Sequence, residues 1–118
     1  MDDGRPIFLQ LAERIEDGII DGTYPDEGQL PSINDFAAFH RINPATALKG
    51  IQRLVDAGVV YKRRGVGMFV SAGARERLLA ARRDRFAVTH ISPLLTEART
   101  LGLTTAELID LIRKDTPS

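Results

Sequence analysis

Residues 30–70 read LPSINDFAAFHRINPATALKGIQRLVDAGVVYKRRGVGMFV, and the order of elements in this stretch decides the fold. Ser32 is a good N-cap, and Asp35 three residues on completes a capping box, so a helix opens there. Phe36 and Phe39 are expected to face inward, with Ala37 and Ala38 small enough for close packing. That helix is short and ends near His40-Arg41. Asn43 is again a strong N-cap and Pro44 suits the first helical position, so another helix starts sharply. Ala47, Leu48, Ile51, Leu54 and Val55 form its expected buried face, and Gly58 ends it. Gly50 costs this helix about 1 kcal/mol relative to Ala; close approach of a neighbouring helix is the expected reason. Val59–Arg63 and Met68–Val70 read as strands around the turn Arg64-Gly65-Val66-Gly67.

Two short helices, a tight turn and a basic hairpin are the layout of a winged helix-turn-helix. Working outward, Pro6 suits a first helical turn, and Ile7, Leu11, Ile15 and Ile19 form one apolar stripe up to a stop at Gly22. On the other side, Ser71-Ala72-Gly73 reads as a hinge, followed by a basic helix from Arg75 to about Val88 with Leu78, Leu79 and Phe86 on one side. Ser92-Pro93 is expected to interrupt it, with Ser92 capping a new helix. Ala87, Ile91, Leu94, Ala98 and Leu101 make a seam suited to helix packing. Gly102 breaks the seam, and Thr104 with Glu107 caps a last helix carrying Leu108, Ile109, Leu111 and Ile112, before a frayed tail at Asp115–Ser118. The expected fold is mostly α with a small β-hairpin (α+β): a winged helix-turn-helix over residues 1–72 and a short helical dimerisation tail over 73–118. The candidate dimer residues are Leu78, Leu79, Phe86, Ile91, Leu94, Leu95, Ala98, Leu101, Leu108 and Ile112, because a lone small domain would leave such a surface exposed.

The net charge of the 118 residues is zero, but it is segregated. Residues 1–30 hold 8 acids and 2 bases, a net −6; residues 31–85 hold 11 bases and 4 acids, a net +7; residues 86–118 hold 3 bases and 4 acids, a net −1. The positive block coincides with the helix-turn-helix, the hairpin and the helix after it, which suits a phosphate-facing surface. The absence of cysteine excludes disulfides, thiolate metal sites and a cysteine nucleophile. Met1–Gly4 do not resemble a secretory signal, and no apolar run approaches the roughly 20 residues of a membrane helix. The expectation is a cytoplasmic protein without a cofactor or a bound metal.

The first turn of the second helix of the motif would enter the major groove, so Asn43, Ala45, Thr46 and Lys49 are candidates to meet DNA. Thr46 can donate to phosphate or touch a thymine methyl. Asn43 serves equally well as a plain cap. Arg53 lies too far along to be more than a phosphate contact. At the hairpin, Arg63, Arg64, Gly65, Val66 and Gly67 follow Lys62, placing cations on a tight turn whose glycines let the backbone approach sugar-phosphate. Arg suits a narrow minor groove; a solvated hairpin tip is the plain alternative.

Leu30-Pro31-Ser32 with Phe36-Ala37, then Ile42-Asn43-Pro44-Ala45-Thr46, then Arg63–Val70, resembles the GntR family of bacterial transcription regulators. Pro6-Ile7-Phe8-Leu9-Gln10-Leu11 resembles that family's opening helix, and Asn-Pro-x-Thr resembles its YtrA-like subfamily. The resemblance implies a homodimeric repressor on a palindromic operator, with Ser32 and Asn34 also at the DNA and a short helical tail for dimerisation. It departs from the family at Asn34, where an Arg that contacts DNA is usual, and at Pro93, in what is usually a continuous helix.

Two other readings stand beside this one. A small-molecule effector could bind where Leu78, Leu79, Phe86 and Leu94 meet the DNA-binding domain. Alternatively, Asn34 marks a winged-helix protein-interaction module that has lost specific DNA binding. An enzyme is not expected: His40 and His90 lie far apart without a triad or metal pattern, and Gly65-Val66-Gly67 is too short for a nucleotide loop.

Overall fold

The computed structural model describes residues 4–116. Its elements are α1 (Ile7–Ile20), α2 (Ile33–His40), α3 (Pro44–Asp56), β1 (Val60–Arg63), β2 (Gly67–Val70), α4 (Ala74–Phe86), a π-helical turn (Ala87–Ile91), α5 (Ser92–Thr100) and α6 (Thr105–Asp115). They divide into two compact units, residues 1–80 and 81–118. The mostly helical α+β expectation holds.

In the first unit, α1 sends Leu11, Ile15 and Ile19 into a core shared with Phe36, Ala47, Ile51 and Leu54. Pro6 stands just before α1, in an extended conformation, and not inside its first turn. The expected reason for Gly50 is correct: a Cβ there would lie 2.8 Å from the carbonyl oxygen of Phe8, so α1 and α3 touch backbone to side chain-free backbone. Both expected caps are present. Ser32 and Asp35 exchange side chain-to-backbone hydrogen bonds at 3.0 and 3.1 Å, and Asn43 Oδ1 accepts from the Ala45 N–H at 2.7 Å.

β1 and β2 pair antiparallel, with Arg63 opposite Gly67. Their outer edge is not left open. The Leu30 N–H donates to Met68 O at 2.8 Å, the Val70 N–H to Gly28 O at 3.0 Å and the Glu27 N–H to Val70 O at 2.8 Å. An isolated bridge, Gln29 to Phe69, thus lays the segment before α2 along the edge of the two-stranded hairpin.

Three expectations about burial are corrected. Phe39 does not face inward: it is 82% exposed. At 100° per residue Ile33, Phe36, Ala37 and His40 share the inner face of α2, and Phe39 lies off it. Ala38 is exposed for the same reason. Leu48 is 43% exposed and stands outside the buried cluster of α3, whose inner face is Ala47, Gly50, Ile51 and Leu54.

The segment Ser71-Ala72-Gly73 is tied down. The N–H groups of Gly73 and Arg75 both donate to the Asp26 carboxylate, at 3.0 and 3.3 Å, and cap α4 from a distance. Ala74 and Leu78 are buried in the first unit's core. Leu78 is therefore a core residue of the first unit, and the boundary between the two units falls inside α4.

The second unit contains the rest of α4, then the π turn, α5 and α6. Pro93 does not interrupt the helix as expected. The chain stays helical from Ala74 to Thr100, and the π turn absorbs the proline. Proline lacks the N–H that would bond Thr89 and crowds that carbonyl; widening the preceding turn removes both problems. Accordingly the Ser92 N–H bonds Ala87 O, five residues back, and Ser92 is no cap. After Gly102, Thr104 and Glu107 form the expected capping box of α6. Ala98 and Leu108 are buried where α5 meets α6. Of the frayed tail expected at Asp115–Ser118, the last two residues lie outside the described residues, and Asp115 is helical.

Candidate nucleic-acid interface

The exposed surface of α3 follows from its buried one. Opposite Ala47, Gly50, Ile51 and Leu54 lies a face centred on Ala45, Lys49 and Gln52, flanked by Leu48 on one side and Thr46 on the other. Ala45 and Lys49 are exposed, and Thr46 is partly so. The Lys49 ammonium sits 4.2 Å from the centre of the Phe8 ring, which draws α3's first cation toward the start of α1. That start is held by Gln10, buried at 6% exposure, whose Nε2 donates to Arg5 O at 2.7 Å.

Asn43 has its side-chain oxygen engaged as a cap, in keeping with the capping alternative. Ser32 accepts from Asp35 through Oγ, which leaves its own hydroxyl proton to offer outward. Asn34, the second residue of α2, is exposed. Between α2 and α3 the chain turns at Arg41, which is left-handed at φ 55°. A glycine is the usual residue there, so the sequence carried no sign of an exposed guanidinium in the turn.

The wing is built more firmly than its glycines suggested. Tyr61 stacks on Phe69 at 5.6 Å, and the Arg63 guanidinium lies 5.2 Å over the other ring, Phe69. Lys62 Nζ donates to Gln52 Oε1 at 3.3 Å, linking wing and recognition helix. The Val66 N–H closes the turn on Arg63 O at 2.9 Å, with Gly65 at φ 76°. Gln29 was missed: its Nε2 donates to Val66 O at 3.1 Å, and a Cβ on Gly67 would meet that amide at 2.6 Å. Arg64 and Val66 are exposed at the tip.

His40, which the sequence placed at the end of α2, is stacked 6.4 Å from Phe36 and lies edge-on to Phe39 at 5.0 Å. Burial first, and the Arg14 cation second, push its pKa below the ordinary 6.5. Among the described residues no cluster of acids and histidines could hold a metal, and no helix is long and apolar enough to cross a membrane. Of the tail candidates, Leu79 and Ile91 are half-buried, while Phe86, Leu94, Leu95, Leu101 and Ile112 are exposed.

A capped recognition helix beside a two-stranded basic wing defines a winged-helix DNA-binding unit. Residues 8–70 match the family described as bacterial regulatory proteins, gntR family, and the chain belongs to that family. It is a DNA-binding transcriptional regulator and not an enzyme. It is 26% identical over 109 residues to the HTH-type transcriptional regulator YhcF of Bacillus subtilis (strain 168), spanning 92% of this chain and 88% of that one. It is 23% identical to the HTH-type transcriptional repressor YtrA of the same organism, over 92% and 83% of the two chains, which bears out the YtrA-like resemblance. Among solved structures it is similar to a GntR-family transcriptional regulator from Bacteroides thetaiotaomicron, with TM-score 0.74 and 30% identity over 92% of this chain and 94% of that one. The DNA-binding domain of AraR, crystallised with operator ORX1, aligns at TM-score 0.56 and 27% identity over 60% of this chain and 86% of that one.

Proposed function

We propose that the protein is a cytoplasmic homodimeric repressor that binds a palindromic operator. The N-terminal half of α3 enters the major groove and the wing tip follows the adjacent minor groove. The observation that carries this reading is the outward face of α3, with Ala45 and Lys49 exposed and Thr46 partly so, tied by the Lys62–Gln52 hydrogen bond to a wing whose Arg63 and Arg64 are exposed. Gly65, Val66 and Gly67 let the wing backbone come close, and Ser32 and Asn34 meet phosphate from α2. The similar AraR domain, crystallised with operator ORX1, supports operator DNA as the partner.

Dimerisation is assigned to residues 73–118, following the winged domain of residues 1–72. A groove of about 550 Å³ between α5 and α6 is lined by Leu94, Ala98, Leu101, Leu108 and Ile112. With Phe86, Ile91 and Leu95 it offers the apolar surface a second copy would cover, and Leu79 adds to it. Leu78 is left out because its side chain is in the first unit's core.

Selection of bound duplexes from a random-sequence library by the full chain tests this, together with light scattering. A two-fold symmetric motif, bound by a dimer, is expected. Monomer with no enriched motif would contradict the proposal and favour the interaction-module reading that Asn34 raises.

A further inference from the structure

We infer that Leu48, with Ala45 one turn before it, reads a thymine in the operator through the C5-methyl group. The inference rests on the major-groove docking proposed above and specifies what that docking selects.

Leu48 is 43% exposed in a helix whose inner face is complete without it. It stands on the flank of the face centred on Ala45, Lys49 and Gln52. At three residues' separation, Ala45 and Leu48 are neighbours on the helix surface, so together they form an apolar patch in its first two turns. Of the polar groups beside them, Lys49 can serve phosphate and the Gln52 amide is engaged by Asp56 and Lys62, whereas neither Ala45 nor Leu48 has a side-chain atom able to form a hydrogen bond.

The edges of the bases decide what such a patch can select. In the major groove, guanine, cytosine and adenine present only donors and acceptors there, while thymine adds a methyl group. A leucine pressed on a polar edge strips water from it and returns no hydrogen bond, which is unfavourable. Pressed on the thymine methyl, it buries apolar surface on both partners. Ala45 has no bulk to hold the helix away from the base. The patch therefore favours thymine by attraction and disfavours guanine, cytosine and adenine by desolvation.

The probe is the tightest duplex recovered by the full chain from the random library, with each thymine replaced singly by deoxyuridine, which removes only the methyl. At one thymine, or at its two symmetry-related copies, binding of the wild-type protein should weaken about fourfold, the effect of one methyl group returned to water. Leu48→Ala should bind the thymine and deoxyuridine duplexes alike at that position, with an unchanged thermal midpoint and salt slope. Leu48→Gln, which carries an amide suited to adenine, should move the preferred base there from thymine to adenine. Wild-type binding indifferent to every replacement would overturn the inference alone, as would Leu48→Ala retaining the distinction. Recovery of no duplex at all would overturn the docking and the inference with it.

Discussion

The side-chain amide of Gln29 donates to the carbonyl oxygen of Val66 at 3.1 Å, joining residues 37 positions apart. One lies before the helix-turn-helix and the other at the tip of the wing. The contact needs the backbone of Gly67, because a Cβ at that position would meet the Gln29 amide at 2.6 Å. The wing is thus held in shape before DNA arrives, and ordering it on binding costs less.

Gln29→Ala should lower stability by no more than about 1 kcal/mol, the usual worth of one hydrogen bond. It should weaken duplex binding by at most about fivefold, the same energy expressed as affinity. Faster amide exchange at Gly65 and Gly67 would report the loosened tip. The loss of affinity should vanish in an Arg64→Ala background, since the wing then has little to position.

Gly50→Ala should destabilise the protein although alanine is the better helix former by about 1 kcal/mol. The added Cβ would stand 2.8 Å from Phe8 O, a main-chain atom that moves only with α1. Overpacking of this kind costs about 1–3 kcal/mol, so a lower thermal midpoint is expected. A midpoint at or above wild type would mean that α1 and α3 are farther apart than described.

Asn43 separates capping from DNA contact. Asn43→Ala should cost about 1 kcal/mol of stability through loss of the bond to the Ala45 N–H. Asn43→Asp should preserve stability, because a carboxylate caps as well and suits the helix N-terminus. The same aspartate should weaken duplex binding through repulsion from phosphate. Chemical denaturation and duplex titration on the two variants check both statements.

His40 gives the stability a pH dependence of predictable sign. Burial, then the Arg14 cation, lowers its pKa in the folded chain below 6.5, so the unfolded chain binds the proton more readily. The stabilising contribution is complete above the unfolded value and is lost as pH falls through 6.5 toward the folded value. The thermal midpoint should be flat above about pH 7 and begin to fall below about 6.5. His40→Leu should remove this step and leave the later loss from the carboxylates Asp21 and Glu107, whose pKa values are lowered by hydrogen bonds from Thr23 and Thr104 respectively.

Local signals were legible in the sequence, and long-range ones were not. Ser32, Asn43 and Thr104 announce their helices because a cap and its partner lie within three residues. Phe39 and Leu48 were assigned to the core on hydrophobicity alone. In the two turns of α2 the apolar residues outnumber the inward positions, and His40 takes the place expected for Phe39. The exposed Leu48 breaks the burial rule on the face proposed to meet DNA, which is where function most often overrides packing. Gln29 escaped notice because its partner is fixed by strand pairing and not by spacing. Pro93 was read as a break because the sequence does not show that a helix will widen by one residue to accommodate it.

The central claim is that α3 and the wing together hold DNA, and the salt dependence of duplex binding tests it most directly. For the wild-type protein, the logarithm of affinity should fall steeply and linearly with the logarithm of salt concentration. Lys49→Ala and Arg64→Ala should each bind more weakly and lower that slope by about 1, one phosphate contact apiece. A slope near zero for the wild type, or slopes and affinities unchanged in both variants, would contradict the account.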